Sequence, residues 1–175
     1  MNAGTHLGES QSRLRRVEVF DLAHGVKDGL AVFESEALQF EYRKNLFLEP
    51  SSVVLSADWE ITSGDPAQTK EMIDSTLARR KATQPLEYPS CGSVFKNPKA
   101  AGLEAWQVID RLALRGHRIG NAQISEKHCN WILNLGEAKA QDVRALIDLV
   151  KSRAKSELGI EMEEEVRMVG IHHRQ

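Results

Sequence analysis

At 175 residues the chain is long enough to bury a real core, as one generous domain or two small ones. Its 41% hydrophobic and 27% charged residues are those of a soluble globular protein, and a net charge of −2 speaks against a general nucleic-acid binder, which carries a basic excess. Two cysteines, Cys91 and Cys129, rule out a disulfide scaffold; with no membrane-length apolar run and no signal-peptide order at the start, a cytoplasmic protein that works away from membranes is expected.

Residues 1–12 hold glycines and little apolar material and read as a loop. Val17-Glu18-Val19-Phe20 starts a strand, and a glycine-flanked turn over residues 25–29 leads to a second, Leu30 to Phe33, so a hairpin is expected. Ser35 to Phe40 is a short helix or turn. In Phe40 to Phe47 aromatic residues bracket Arg43, which is either a surface arginine with its stem along Tyr42 or Phe47, or a guanidinium fixed to grip a carboxylate. Val53 to Ile61 reads as a strand. Asp65 and Pro66 open a helix that runs to about Ala82, with Thr69, Met72, Ile73, Thr76 and Leu77 on one face. Pro85 stops any continuation. A boundary is therefore expected between residues 1–82 and 83–175.

Pro89 to Pro98, PSCGSVFKNP, is the densest run of chemistry in the chain. It reads as too polar for a buried strand and too rigid for a linker, which leaves a structured turn or a ligand loop. Gly92 permits close backbone approach, Ser93 presents a hydroxyl, and Lys96 and Asn97 add donors. A helix is expected from Leu103 to Leu114, then strands from His117 to Ile124 and Cys129 to Leu135, with His128 closing their connection as a structural, exposed or ligand-facing histidine. A helix from Ala140 to Leu158 stopped by Gly159 follows, and a terminal strand from Ile160 to Val169 contains Glu163-Glu164-Glu165.

Taken in order, these stretches resemble the bacterial UDP-N-acetylmuramate dehydrogenase family, also called UDP-N-acetylenolpyruvoylglucosamine reductase. The resemblance rests on Asn2-Ala3-Gly4, Tyr42-Arg43, Gln84-Pro85-Leu86, Gly92 to Pro98, Ile119-Gly120-Asn121-Ala122, Ser125 with Lys127-His128, Asp142-Val143 and Glu165-Val166-Arg167. It implies an α+β protein: the remainder of a PCMH-like FAD-binding subdomain over residues 1–82, then a substrate-binding α/β domain over 83–175 with a small, mostly antiparallel sheet and packed helices.

The implied activity is reduction of UDP-N-acetylglucosamine enolpyruvate to UDP-N-acetylmuramate, a peptidoglycan precursor, with FAD as cofactor and NADPH as hydride donor. The family's proton-donating serine falls on Ser93, its carboxylate-binding arginine on Arg43 and its electrophilic glutamate on Glu165. Lys96, Asn97 and His128 fall at substrate contacts, and Asn2, Ala3 and Gly4 at the cofactor. Such groups suit the chemistry, because hydride addition drives negative charge onto the substrate carboxylate, where a fixed cation and a hydrogen-bonding acid lower the barrier.

Three positions depart from the family pattern. Asn45 stands where serine is common, Glu164 where proline is common, and Lys139 where a threonine usually caps the last helix, a loss worth about 1 kcal/mol. No glycine-serine-asparagine phosphate loop precedes Asn2. The first FAD-binding subdomain is therefore expected to lie outside these 175 residues, with Met1 as an interior methionine of the longer pattern and an N-terminal half supplied by another chain as one partner to consider. A UDP-sugar-binding module or a structural remnant of the same family remains the alternative reading.

Overall fold

The computed structural model describes residues 4–5, 8–23, 29–98 and 102–170. The chain divides into two compact units, residues 1–66 and 67–175, and each is an α+β or β assembly in its own right.

The first unit is built from short strands. β1 (Gly4–Thr5) pairs with β2 (Gly8–Glu9), and a 3-10 turn over Ser10–Arg13 leads into β3 (Leu14–Asp21). β4 (Leu30–Glu34) returns antiparallel to β3, as the hairpin reading anticipates; the turn expected over 25–29 falls mostly on residues outside those described. Ser35–Ala37 form a 3-10 turn, β5 (Phe40–Glu41) and β6 (Lys44–Asn45) make a miniature hairpin, and β7 (Ser52–Trp59) pairs with the other side of β3. The sheet order is β4-β3-β7.

Alternation along β3 decides its two faces. Val17 and Val19 are buried and, with Leu14, pack against Phe33, Leu38, Phe47 and Leu48. On the opposite face Arg16 lies between Glu34 (3.7 Å) and Asp58 (3.5 Å), and Ser56 donates to Glu18 at 3.1 Å.

In the second unit, α1 (Pro66–Thr83) follows the expected bounds to within a residue. Its expected apolar face is not buried: Met72, Ile73 and Leu77 are all about half exposed or more. Apolar and polar residues are scarcely segregated around this helix, so a few apolar positions at helical spacing do not make a face to bury.

The remaining elements form a layered α+β fold. A four-stranded antiparallel sheet runs β8 (Ser90–Ser93), β11 (Trp131–Asn134), β10 (Ala122–Ile124), β9 (Arg118–Ile119). α2 (Ala105–Arg111) and α3 (Ala140–Leu158) pack with it around Phe95, Val108, Ile109, Leu112, Ile124, Leu146, Ile147 and Val150. The strand expected from His117 to Ile124 is split because Gly120, at φ +55°, turns the chain between β9 and β10. A Cβ at Gly120 would overlap the Asp142 carboxylate, so both conformation and space favour glycine there. Gly159, at φ +68°, ends α3, and the Ile160 N–H reaches back to the Ala154 carbonyl at 3.0 Å. At the other end of α3 the missing threonine cap is partly replaced: an Asp142 carboxylate oxygen accepts the Lys139 N–H at 3.0 Å. The terminal strand expected over 160–169 is reduced to one bridge, Phe95 opposite Glu164. Among the described residues no helix is long and apolar enough to cross a membrane.

Candidate functional site

Pro89 to Pro98 departs from its sequence reading, because part of it does form a strand. The Pro89 carbonyl accepts the Asn134 N–H at 2.9 Å, Ser90 stands opposite Leu133, and Ser93 opposite Trp131. Three steps along β8 thus cover two along β11, so β8 carries one extra residue. Gly92, at φ +79°, absorbs the distortion. Apart from its chain neighbours, no heavy atom of the described residues lies within 4 Å of where its Cβ would be, so the space over this bulge is open among those residues. Such a bulge re-aims the next side chain, and that side chain is Ser93, half-buried.

Beyond Ser93 the chain enters the core. Val94 and Phe95 are both buried, and these two apolar residues anchor an otherwise polar segment. The Val94 carbonyl accepts the Glu165 N–H at 2.8 Å, and the Lys96 N–H donates to the Glu163 carbonyl at 2.9 Å. Residues 163–166 therefore lie antiparallel along 93–96. The structure brings Ser93 and Glu165, far apart in sequence, onto neighbouring hydrogen-bonded segments.

The three glutamates are not one solvated face. Lys96 is ion-paired with Glu163. Lys151 on α3 donates to Glu164 at 2.8 Å. Burial opposes ionisation of Glu164, but that hydrogen bond, a backbone N–H and the charges of Lys151 and Arg144 together hold its carboxyl below the usual range. A glutamate where the family pattern has proline thus gains a partner on the helix. Glu165 is half-buried beside them.

Asn97 visibly braces the backbone, since its side-chain oxygen accepts the Ala105 N–H at 2.9 Å, at the start of α2. His128 sits in a connection held from several sides. The buried Ser125 hydroxyl accepts the backbone N–H groups of Lys127 (3.1 Å) and His128 (3.2 Å), Lys127 donates to the Lys81 carbonyl at 2.7 Å, and Arg115 donates to the Glu126 carbonyl. The His128 Nδ1 is buried with no hydrogen-bond partner. Burial lowers the affinity of this ring for a proton and the nearby Arg115 charge adds to that, outweighing a backbone hydrogen bond and the Glu104 charge, which act the other way. The arrangement favours a neutral imidazole.

Arg43 belongs to the first unit. β5 and β6 pair Phe40 with Asn45 and Glu41 with Lys44, which makes Tyr42-Arg43 the two-residue turn of a hairpin. Arg43 has φ +60°, an uncommon conformation for a residue with a Cβ. Its guanidinium carbon lies 5.3 Å from the centre of the Tyr42 ring, within cation–π range. Asn45, where the family pattern has serine, accepts the Leu48 N–H at 3.2 Å and so steadies the chain leaving the hairpin. Of the expected cofactor residues, Asn2 and Ala3 lie outside the described residues, and Gly4 pairs with Glu9 in β1–β2.

One residue of this region escapes sequence reading altogether. Asn130 is buried, its side-chain oxygen accepts the Phe95 N–H at 3.0 Å, and its side-chain nitrogen donates to the Phe95 carbonyl at 2.9 Å. An asparagine just before a strand is an ordinary turn residue in sequence; only the tertiary pairing reveals the bond.

The chain is similar to proteins already known. Residues 84–169 match the family described as UDP-N-acetylenolpyruvoylglucosamine reductase, C-terminal domain. A protein of that name from Lactococcus lactis subsp. cremoris (strain SK11) is 39% identical over 97% of this chain and 55% of its own length, and one from Geotalea uraniireducens is 40% identical over 98% and 54%. The crystal structure of UDP-N-acetylenolpyruvylglucosamine reductase from Thermus caldophilus is similar with a TM-score of 0.74 and 36% identity, over 96% of this chain and 58% of that one. The chain spans about half the length of the curated relatives it matches.

Proposed function

We propose that the chain belongs to the UDP-N-acetylenolpyruvoylglucosamine reductase family, whose C-terminal domain residues 84–169 match, and that it carries the substrate-handling groups of an oxidoreductase. The reaction is NADPH-dependent reduction of UDP-N-acetylglucosamine enolpyruvate to UDP-N-acetylmuramate in peptidoglycan precursor synthesis. The observation that carries the reading is the antiparallel seating of residues 163–166 on 93–96, which sets Ser93 and Glu165 on adjacent segments.

FAD, if bound and once reduced by NADPH, would supply the hydride that the vinyl carbon of the substrate takes up. The open space over Gly92 beside Ser93 supports the approach of a group to the backbone there. Asn2, Ala3 and Gly4 are the proposed contacts to the flavin nucleotide. Ser93 delivers the proton to the neighbouring carbon; serine is a weak acid, so the proton moves only as carbanion character builds there. Arg43 pairs with the substrate carboxylate and stabilises the charge that hydride addition creates there, and Glu165 stands in the place of the family's electrophilic glutamate. The Tyr42-Arg43 turn supports the Arg43 role, because uncommon backbone conformations for residues with a Cβ recur where a side chain must be aimed. Lys96, Asn97 and His128 hold the sugar nucleotide. Residues 1–82 contribute the remainder of the FAD-binding region and 83–175 the substrate-binding domain. On this reading the protein works in the cytoplasm, in cell-wall biogenesis that serves cell shape and division.

These 175 residues alone are expected to hold FAD weakly, with tight binding requiring further FAD-binding sequence in the same or another polypeptide. Flavin absorbance on the purified chain tests this: stoichiometric FAD would overturn it. With flavin supplied, Ser93→Ala should leave reduction by NADPH intact and slow reoxidation by the enolpyruvyl sugar nucleotide about 10²- to 10⁴-fold. Unchanged reoxidation removes Ser93 from the mechanism. Sugar-nucleotide binding by calorimetry without NADPH oxidation would instead mark a binding module, and neither would mark a structural remnant.

A further inference from the structure

The backbone of Phe95 poses an accounting problem. Phe95 is buried, so its N–H and C=O must both find partners. On the side of residues 163–166 the pairing uses the carbonyl of Val94 and the N–H of Lys96, so the Phe95 groups point the other way. There the regular ladder has ended: Ser93 opposite Trp131 is its last rung, followed only by the Val94 N–H to the Asn130 carbonyl at 2.9 Å. The Asn130 side chain supplies the missing rung. Its amide accepts from Phe95 at 3.0 Å and donates to it at 2.9 Å, in the pattern of a neighbouring strand's peptide group.

We propose that Asn130 is a positioning residue, which fixes the Ser93–Lys96 strand in register with residues 163–166 and so sets Ser93 against Glu165. The proposal rests on the reading of Ser93 and Glu165 as reacting groups. Asn130 acts through Phe95 and is not itself a catalytic residue. Both of its bonds are needed, since losing either leaves a buried backbone group without a partner.

The test compares Asn130→Ala and Asn130→Asp with the parent chain, using amide hydrogen exchange and amide chemical shifts at Phe95, Ser93 and Glu165. Asn130→Ala should lower Phe95 protection at least tenfold and move the Ser93 and Glu165 amide signals, while Leu146 and Val150 in α3 keep theirs. Asn130→Asp has a signature that loss of packing does not share. As a carboxylate it still accepts from the Phe95 N–H but faces the Phe95 carbonyl with negative charge; protonated, it donates again. Its Phe95 protection factor should therefore be low near neutrality and recover as the pH falls toward about 5. This reversal carries the test even if Asn130→Ala fails to fold. In flavin-supplied protein, both variants should slow reoxidation by the enolpyruvyl sugar nucleotide at least tenfold near neutrality with reduction by NADPH unchanged.

Parent-like protection at Phe95, or lost protection with unmoved Ser93 and Glu165 signals, overturns the proposal. Unmoved reoxidation with lost protection reduces Asn130 to a structural residue and also overturns it. If the parent chain itself shows no reoxidation, the functional reading fails, and the exchange and shift data alone decide whether Asn130 sets the register.

Discussion

Sixteen buried residues form the hydrophobic core of residues 67–175, against three in residues 1–66 among those described. In the larger unit a sheet and two helices interlock, and Leu146, Ala105 and Val108 are fully buried. In the smaller unit β7 is an edge strand whose Val53, Val54, Leu55 and Trp59 are all about half exposed. Apolar content alone does not make a core. β3, β4 and β7 all contain strand-forming residues, yet among the described residues of this unit the buried cluster lies on the face holding Val17 and Val19, where Leu38, Phe47 and Leu48 from short connections pack against it.

Truncating leucines in the two units tests this contrast most directly. Leu146→Ala should cost about 2–5 kcal/mol by denaturant unfolding, whereas Leu55→Ser should change stability by no more than about 0.5 kcal/mol. Leu55→Ser should also reduce concentration-dependent association in sedimentation, because an exposed apolar edge strand invites pairing with another chain. Equal costs at the two sites would erase the distinction.

Gly120→Ala narrows the contrast to a single contact in the larger unit and should cost about 1–3 kcal/mol in calorimetry. Its Cβ would overlap the Asp142 carboxylate in a conformation that disfavours any side chain. Pairing it with Asp142→Ala should recover part of the loss, which separates the clash from the backbone strain.

Acid sensitivity should be milder and traceable to two groups. Burial keeps His128 neutral in the folded protein, so the unfolded chain takes up the proton first and stability falls as pH drops below about 6.5. Glu164 works lower down: its depressed value stabilises the fold above the ordinary glutamate range, about 4.3, and is lost as pH falls through the folded-state value. His128→Gln should flatten the stability profile between neutrality and weak acid, and Glu164→Gln should flatten it only in stronger acid. The smallest effect belongs to the first unit, where Arg16→Ala releases two part-exposed ion pairs and should cost up to about 1 kcal/mol.

How much of this is legible in the sequence depends on whether the signal is local. Pro66 and Gly159 mark helix ends because capping chemistry acts within a turn, and α1 and α3 follow the reading closely. The β5–β6 hairpin is invisible because Tyr42-Arg43 carries none of the glycine or asparagine that announces such turns, and the positive φ falls on an arginine. The expected strand from Ile160 to Val169 overreaches: its apolar and acidic residues serve a short pairing with residues 94–96 and contacts to α3, not a ladder. Of the candidate site, the residue types at Ser93, Lys96 and Glu165 could be named, but Asn130 and the Lys151–Glu164 pair depend on contacts the chain makes only when folded.

The bulge at Gly92 gives Cys91 a meaning unrelated to its thiol. Side chains along a strand alternate, so an extra residue works as a parity switch between Ser90 and everything after Ser93. Cys91 is exposed at the surface, yet neighbouring atoms partly desolvate its thiol and push it up, away from reactive thiolate. Cys91→Ser should therefore leave the amide signals of Ser93 and Glu165 in place. Deleting Cys91 should move both, by forcing either Ser90 or Ser93 onto the wrong face. What this position contributes is its place in the count, and any side chain that tolerates the turn can keep it.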